Sequence, residues 1–146
     1  MLLATLMLGL LTAGCTHNNG PHDSIYGTWK LESLTIDGNP DNAYEGNLVW
    51  KFQNDIIEMD LINDRAHTNE HRFGTWTLTD SELLLDFSHS DNNYDPGEGI
   101  YKPFEVTHLP SGNSALHILS KDSGKMTLRY DTSSGASVVY YLKRWG

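Results

Sequence analysis

Short segments of alternating apolar and polar residues, following one another at close intervals, decide which folds this chain can adopt. In the segment Asn47–Gln53, Leu48, Trp50 and Phe52 fall on one face and polar or smaller residues on the other. Ile56–Ile62 repeats the alternation, and the sequence shows no sustained 3.6-residue helical period. The pattern predicts β-strands with one buried face and one solvent face.

Short turns separate the predicted strands. Asn54–Asp55 and Asp80–Ser81 each leave two residues between alternating segments, which is the spacing of a tight hairpin. The sequence predicts eight or nine strands: Tyr26–Asp37, Asn47–Gln53, Ile56–Ile62, His71–Thr79, Glu82–Phe87, Phe104–Leu109, Ala115–Ser120, Lys125–Asp131 and Ser137–Trp145.

Hairpins between neighbouring strands favour an all-β fold, an up-and-down antiparallel β-barrel of about eight strands over residues 25–146. A β-sandwich is the alternative, because the long gap Ser88–Pro103 could carry a Greek-key return. A barrel of this size either is filled by its own side chains or holds one small ligand, and the aromatic residues on the strands leave both open.

Charge and cysteine content exclude several functional classes. The 146 residues carry 10 Lys and Arg against 19 Asp and Glu, a net charge of −9. This balance opposes binding to nucleic acid and electrostatic attraction to anionic lipid. With one cysteine, the chain cannot form an internal disulfide.

The first 14 residues differ from the rest. Met1–Gly14 is uncharged and almost wholly apolar or small, yet shorter than the roughly 20 residues that span a bilayer. It has the length of a secretory h-region followed by small residues at a cleavage site. The single cysteine, Cys15, follows directly, and the polar segment Thr16–Ser24 has the composition of a flexible tether.

Ala13, Gly14 and Cys15 resemble the lipobox that ends a bacterial lipoprotein signal peptide, with Thr12 where leucine is usual. The resemblance implies a signal peptide at residues 1–14, a lipid on Cys15, a tether at 15–24, and export with lipid anchoring in the cell envelope. Thr16 stands where inner-membrane retention signals tend to place Asp, which favours the outer membrane.

Gly27 and Trp29 in "GTW", with Arg144 in "YYLKRWG", resemble the G-x-W motif and closing arginine of lipocalins. The whole chain is similar to the lipocalin-like lipoproteins of Bacteroidetes. This resemblance implies that Gly27, Trp29 and Arg144 close one end of the barrel. It also implies a non-catalytic binding module for a small apolar or amphipathic molecule. The alternative is a structural protein that docks another envelope protein through its loops or rim.

Motifs that would suggest an enzyme or a metal site fit poorly. His67–His71 has the H-x-x-E-H spacing of inverted zinc peptidases, but that spacing needs a helix and these residues enter a predicted strand. Asp91–Gly99 spaces oxygen ligands as a calcium loop does, but Pro96 stands where Gly is needed. We therefore expect no catalytic residues, no cofactor and no metal. For a polar ligand, Tyr94 and Tyr101 in the long loop are the candidates.

Overall fold

The computed structural model describes residues 25–63, 65 and 68–146, and its regular structure is almost entirely β. The strands are β1 (Gly27–Ile36), β2 (Asn39–Pro40), β3 (Leu48–Gln53), β4 (Ile56–Asn63), β5 (Thr68–Leu78), β6 (Glu82–Phe87), β7 (Gly112–Lys121), β8 (Lys125–Asp131) and β9 (Ser137–Arg144). Two 3₁₀ turns, Gly99–Tyr101 and Glu105–Thr107, lie between β6 and β7. No helix in the described part of the chain is long and apolar enough to cross a membrane.

Antiparallel pairing closes the sheet on itself. β1 pairs with β3 along one edge and with β9 along the other, and every other pair from β3 to β9 joins neighbours in sequence. The short β2 only extends the far end of β1. Eight strands therefore form a closed up-and-down barrel, which confirms the predicted fold class and excludes the sandwich.

The predicted strand Phe104–Leu109 is wrong. Its centre forms a 3₁₀ turn, and β6 pairs directly with β7 instead. Phe104 and Leu109 are buried in the core, while Thr107 is fully buried and its carbonyl accepts a 2.6 Å hydrogen bond from the Tyr140 hydroxyl. Pro103 and Pro110, which lack an N–H for a strand ladder, flank the segment. It inserts into the barrel end as a plug, which we call the plug segment.

Large aromatic side chains fill the barrel interior. Trp29, Trp50, Phe52, Phe87 and Tyr140 are fully buried, and the rings of Trp50 and Tyr140 lie 5.5 Å apart. Both the plug segment and these rings use the volume that a ligand in a wider barrel would occupy. A ligand would therefore contact the outer surface or one of the two barrel ends.

The two ends of the barrel differ. One end carries the tight β3–β4, β5–β6 and β7–β8 turns together with the start of β1, and we call it the hairpin end. The other carries the longer β1–β3 and β6–β7 connections and the plug segment, and we call it the loop end.

Candidate functional site

A cleft of about 550 Å³ lies on the outer wall of the barrel, between β4, β5 and the 88–101 segment. It exists because β6 pairs only with the second half of β5, from Thr75 to Leu78. The first half of β5 pairs only with β4, and the loop with the 3₁₀ turn Gly99–Tyr101 folds back beside it. The cleft is lined by Asp55, Ile56, Phe73, Gly74, Thr75, His89, Ser90, Ile100 and Tyr101.

The cleft is mainly apolar. Ile56 and Phe73 provide its wall from the strands, and Ile100 and the Tyr101 ring provide it from the loop. Ile56 is 45% exposed although it is a large aliphatic residue in the first position of a strand. An exposed apolar surface in a concave place is typical of a binding site, whereas scattered exposed apolar residues are not.

Tyr94 and Tyr101, the predicted polar-ligand candidates, come together in the long loop. Their rings make an edge-to-face pair with centroids 6.4 Å apart. The Tyr94 ring fills the space beside Gly99, where a Cβ would come within 2.0 Å of it. Of the two, Tyr101 contributes to the cleft wall, and its hydroxyl donates a 3.4 Å hydrogen bond to Asp91. Tyr94 therefore supports the loop, and Tyr101 is the one in contact with the cleft.

A charged cluster lies on the same outer wall, formed by Lys51 of β3, Glu58 and Asp60 of β4, and His71 of β5. The register sets Lys51 opposite Glu58 and Asp60 opposite His71. Asp60 accepts from the Lys51 ammonium at 2.7 Å and contacts His71 Nδ1 at 2.6 Å. Although it points outward, Asp60 is only 5% exposed because these partners cover it.

Hydrogen bonding within the charged cluster shifts its titration. The bond to Asp60 raises the pKa of His71 above its ordinary value. Burial opposes ionisation of Asp60, but hydrogen bonds from Glu58, Lys51 and His71 outweigh burial and lower the pKa of Asp60. The shared bond with Asp60, together with burial, raises the pKa of Glu58. The cluster thus balances charge among its own members.

The charged cluster also has the donor set of a metal site. Glu58, Asp60 and His71 place one ligand atom each within 4.8 Å of one another. The Lys51 ammonium, however, already neutralises Asp60 and lies 3.6 Å from Glu58. A lysine in this position performs the charge compensation that a bound cation would perform, so the geometry is that of an ion-pair network.

The cleft and the charged cluster adjoin each other. Phe73, a wall residue of the cleft, stacks on His71 with ring centroids 6.4 Å apart and sits opposite Glu58 in the β4–β5 register. The combined surface offers an apolar hollow with a polar margin on one side. Such an arrangement suits a molecule that has an apolar body and a polar group.

Gly27, Trp29 and Arg144 lie together at the hairpin end. The Arg144 guanidinium carbon is 4.1 Å above the Trp29 ring, and its Nη1 donates to the Tyr26 carbonyl. Gly27 has φ +114°, and a Cβ there would come within 3.1 Å of Arg144 Nη1. The Trp29 indole donates to the Ile25 carbonyl at 2.9 Å. These contacts are architectural and take no part in the cleft.

Sequence reasoning missed the cleft and the charged cluster. Cys15, the tether and His67 lie outside the described residues, while His71 belongs to the charged cluster. Alternation alone already assigned Glu58 and Asp60 to the outward face of one strand. Pairing the predicted hairpins in register would have set Lys51 beside Glu58. No feature of the sequence predicts the cleft, because its wall depends on where the 88–101 segment folds.

Comparison with known proteins places the fold. The sequence pattern described as "Lipocalin-like domain" matches residues 9–135. A lipocalin-like protein from Bacteroides uniformis ATCC 8492 superimposes with a TM-score of 0.58 at 16% identity, covering 84% of this chain and 99% of that one. An uncharacterized protein from Bacteroides eggerthii DSM 20697 gives 0.58 at 17% identity, covering 82% and 98%. No curated protein matches the sequence. With the closed eight-stranded barrel, the match over most of the chain shows that this protein belongs to the lipocalin-like domain family.

Proposed function

We propose that this protein is a lipid-anchored, non-catalytic binding module that holds a small apolar or amphipathic molecule in the outer cleft. The observation that carries the proposal is the 550 Å³ apolar hollow beside Phe73 and Ile56. Its volume lies within the roughly 300–1,000 Å³ of small-molecule sites in proteins. Because aromatic side chains occupy the barrel interior, the outer wall is the better place for a ligand.

The polar margin specifies the ligand further. Lys51 carries positive charge at one side of the hollow, where it pairs with Glu58 and Asp60, and His71 contacts the same two carboxylates. The Tyr101 hydroxyl donates its proton to Asp91, so from the loop side it offers the ligand an acceptor. We expect an apolar body in the hollow and a hydrogen-bonding group at this margin.

Anchoring rests on Cys15, and the binding role rests on the family and the cleft. A diacylated or triacylated cysteine would hold the domain stably, since two or more acyl chains are needed for lasting membrane attachment. The proposed location is the cell envelope, with the outer membrane favoured by Thr16. The proposed non-catalytic role rests on the family, whose domain pattern matches residues 9–135.

Titration with anilinonaphthalene sulfonate, a fluorescent probe with an apolar body and one anionic group, tests the cleft. Ile56→Asp places a charge in the hollow and should weaken probe binding at least tenfold. Leu119→Asp is the matched control, because Leu119 is 49% exposed and does not line the cleft. Equal affinity of the two variants, with both folded, would contradict the proposal.

Docking of an envelope protein is the second candidate function, and the exposed Ile56 favours it because the hollow opens onto the surface. The two functions differ in what the purified protein retains. A small mass bound to the chain supports ligand binding, while a stoichiometric protein partner lost on Ile56→Asp supports docking.

A further inference from the structure

Three lysines form one row across the outside of the barrel at the hairpin end. In the strand register, Lys125 of β8 lies directly opposite Lys143 of β9, and Lys143 lies directly opposite Lys30 of β1. Inward neighbours Trp29, Leu142 and Met126 are buried, so alternation turns the three lysines outward. Like charges directly opposite each other destabilise a sheet unless something else compensates them.

Described carboxylates compensate this row only in part, since Asp122 interacts electrostatically with Lys125 without forming an ion pair with it. None of Lys30, Lys125 and Lys143 makes an ion pair with a carboxylate in the described part of the chain. In contrast, Lys51 is paired twice within the charged cluster. Glu32 and Asp122 are the nearby acids; Asp122 caps the β7–β8 turn by accepting backbone N–H bonds from Gly124 and Lys125.

The rows beyond the lysines are free of acidic residues until the far end of the wall. Thr127, Tyr141 and Ser33 form the second row, and Arg129, Val139 and Thr35 the third. Asp131 follows in the fourth and pairs with Arg129 at 3.3 Å. In a chain with net charge −9, the β8–β9–β1 wall therefore collects three lysines at the hairpin end, with Glu32 of the β1 bulge beside them and an uncharged second row.

Aromatic side chains accompany the lysines. Trp145 is 48% exposed and, with Lys30, Lys143, Glu32 and Arg144, lines a depression of about 220 Å³. Tyr141, 40% exposed, stands in the second row. Exposed Trp and Tyr beside lysines are the composition found where proteins meet the headgroup layer of a membrane.

The chain enters the barrel at this same end. The described residues begin at Ile25, directly before β1, and Cys15 lies 10 positions earlier, since 25 − 15 = 10. The composition of residues 16–24 predicts a tether, and a tether of that length reaches about 17–19 Å on average. A lipid on Cys15 would thus hold the hairpin end within reach of the bilayer surface.

We infer that the β8–β9–β1 wall docks onto an anionic membrane surface, with Lys30, Lys125 and Lys143 facing lipid phosphates and Trp145 at the headgroup level. The inference rests on the proposed anchoring at Cys15 for its geometry. The β3–β4 and β5–β6 turns at the same end carry Asp55 and Asp80, so the barrel approaches with its wall and not end-on. The cleft on β4 and β5 then faces away from the membrane.

Partitioning of the protein onto lipid vesicles tests membrane binding by the β8–β9–β1 wall in the absence of the lipid proposed on Cys15. Residues 16–146 hold every described strand and buried core residue, so they are mixed with vesicles of phosphatidylcholine alone or with 40% phosphatidylglycerol. We expect partitioning onto the anionic vesicles at least tenfold above the zwitterionic ones. Binding should weaken with added salt, and the emission of Trp145 should shift to the blue, since Trp29, Trp50 and Trp76 are buried already.

Paired variants locate the contact. Lys30→Gln with Lys143→Gln should lower the partition coefficient about 25-fold, from roughly fivefold per lysine near an anionic surface. Lys102→Gln with Arg65→Gln removes the same charge elsewhere and should change it less than twofold. Equal losses in both pairs, or no preference for anionic vesicles, would overturn the inference. So would a change of oligomeric state in the lysine pair alone, which would make the wall an interface between copies.

Failure of this test leaves the proposed function separately testable. Probe binding to the cleft uses Ile56 on the opposite wall and needs no vesicle. If the wild-type protein binds the probe but shows no preference for anionic vesicles, the docking wall alone is rejected. If it prefers anionic vesicles but does not bind the probe, the cleft alone is rejected.

Discussion

Trp29 shows how one residue can be predicted from sequence and explained by structure. Its ring is fully buried, its indole N–H is satisfied by the Ile25 carbonyl, and Arg144 covers its face. The "GTW" motif and the arginine of "YYLKRWG" predicted a role for Gly27, Trp29 and Arg144. Such short motifs occur where backbone and side chains are crowded. No sequence motif predicts the burial of Asp60, because its partners Lys51 and His71 lie on two other strands.

Trp29→Ala should destabilise the fold by about 3–5 kcal/mol, as expected for removing a large buried aromatic side chain. Urea unfolding measures the loss, with Trp145→Ala as an exposed control that should change stability by less than about 0.5 kcal/mol. Probe affinity of the folded Trp29→Ala protein should match wild type. Reduced affinity at unchanged stability would show that Trp29 belongs to a binding site.

His71 should titrate above its ordinary pKa of 6.5, because its hydrogen bond to Asp60 favours the protonated ring. A raised folded-state pKa means that this contribution to stability is complete below pH 6.5 and disappears as pH rises through the folded pKa. Asp60 has the opposite sign: its contribution is present above the ordinary value of 3.8 and is lost as pH falls through its lowered pKa. The His71 and Asp60 contributions are therefore both complete between pH 3.8 and pH 6.5. Glu58 has the same sign as His71, because its pKa is also raised: its contribution is complete below its ordinary pKa of 4.5 and is lost as pH rises through the folded pKa.

NMR titration of the imidazole measures this directly. Asp60→Asn should lower the pKa of His71, while Asp131→Asn on another wall should leave it unchanged. If the pKa of His71 is the same in the wild type and in Asp60→Asn, the 2.6 Å contact between His71 Nδ1 and Asp60 does not stabilise the protonated ring.

At the scale of elements, the strands were predictable and the plug segment was not. β6 and β8 follow the alternation closely, because each has one face against the core. β3 and β4 also follow it except at Val49 and Asp60, which are buried although they lie on the outward face. Phe104–Leu109 also alternates, yet its apolar side chains are buried by insertion into the barrel end instead of by pairing. A periodicity of two reports burial of alternate residues and cannot report what buries them.

The hydroxyl of Tyr140 should hold the plug segment in place. Burial raises the pKa of Tyr140, so the hydroxyl remains a donor to the buried Thr107 carbonyl. Tyr140→Phe leaves that carbonyl without this bond and should cost about 1–3 kcal/mol. Hydrogen exchange should accelerate at residues 104–109, with the strand amides little changed. Tyr141→Phe, at an exposed neighbour, is the control; identical exchange in both variants would contradict the assigned role.

At the scale of the whole molecule, net charge and charge distribution lead to opposite predictions about anionic lipid. A charge of −9 argued against anionic lipid, yet the register collects three lysines on one wall and places the charged cluster on another. Composition averages over surfaces that the fold separates. The cleft is likewise a property of the assembled molecule, because β5 supplies Phe73, β4 supplies Ile56 and a distant loop supplies Tyr101.

Native mass spectrometry of the protein purified from the cells that make it is the decisive test of ligand binding in the outer cleft. We expect a small bound mass that leaves on denaturation, is lost in Ile56→Asp and is retained in Leu119→Asp. A clean ligand-free mass for the wild-type protein, or a bound mass that survives Ile56→Asp, would contradict binding in the outer cleft.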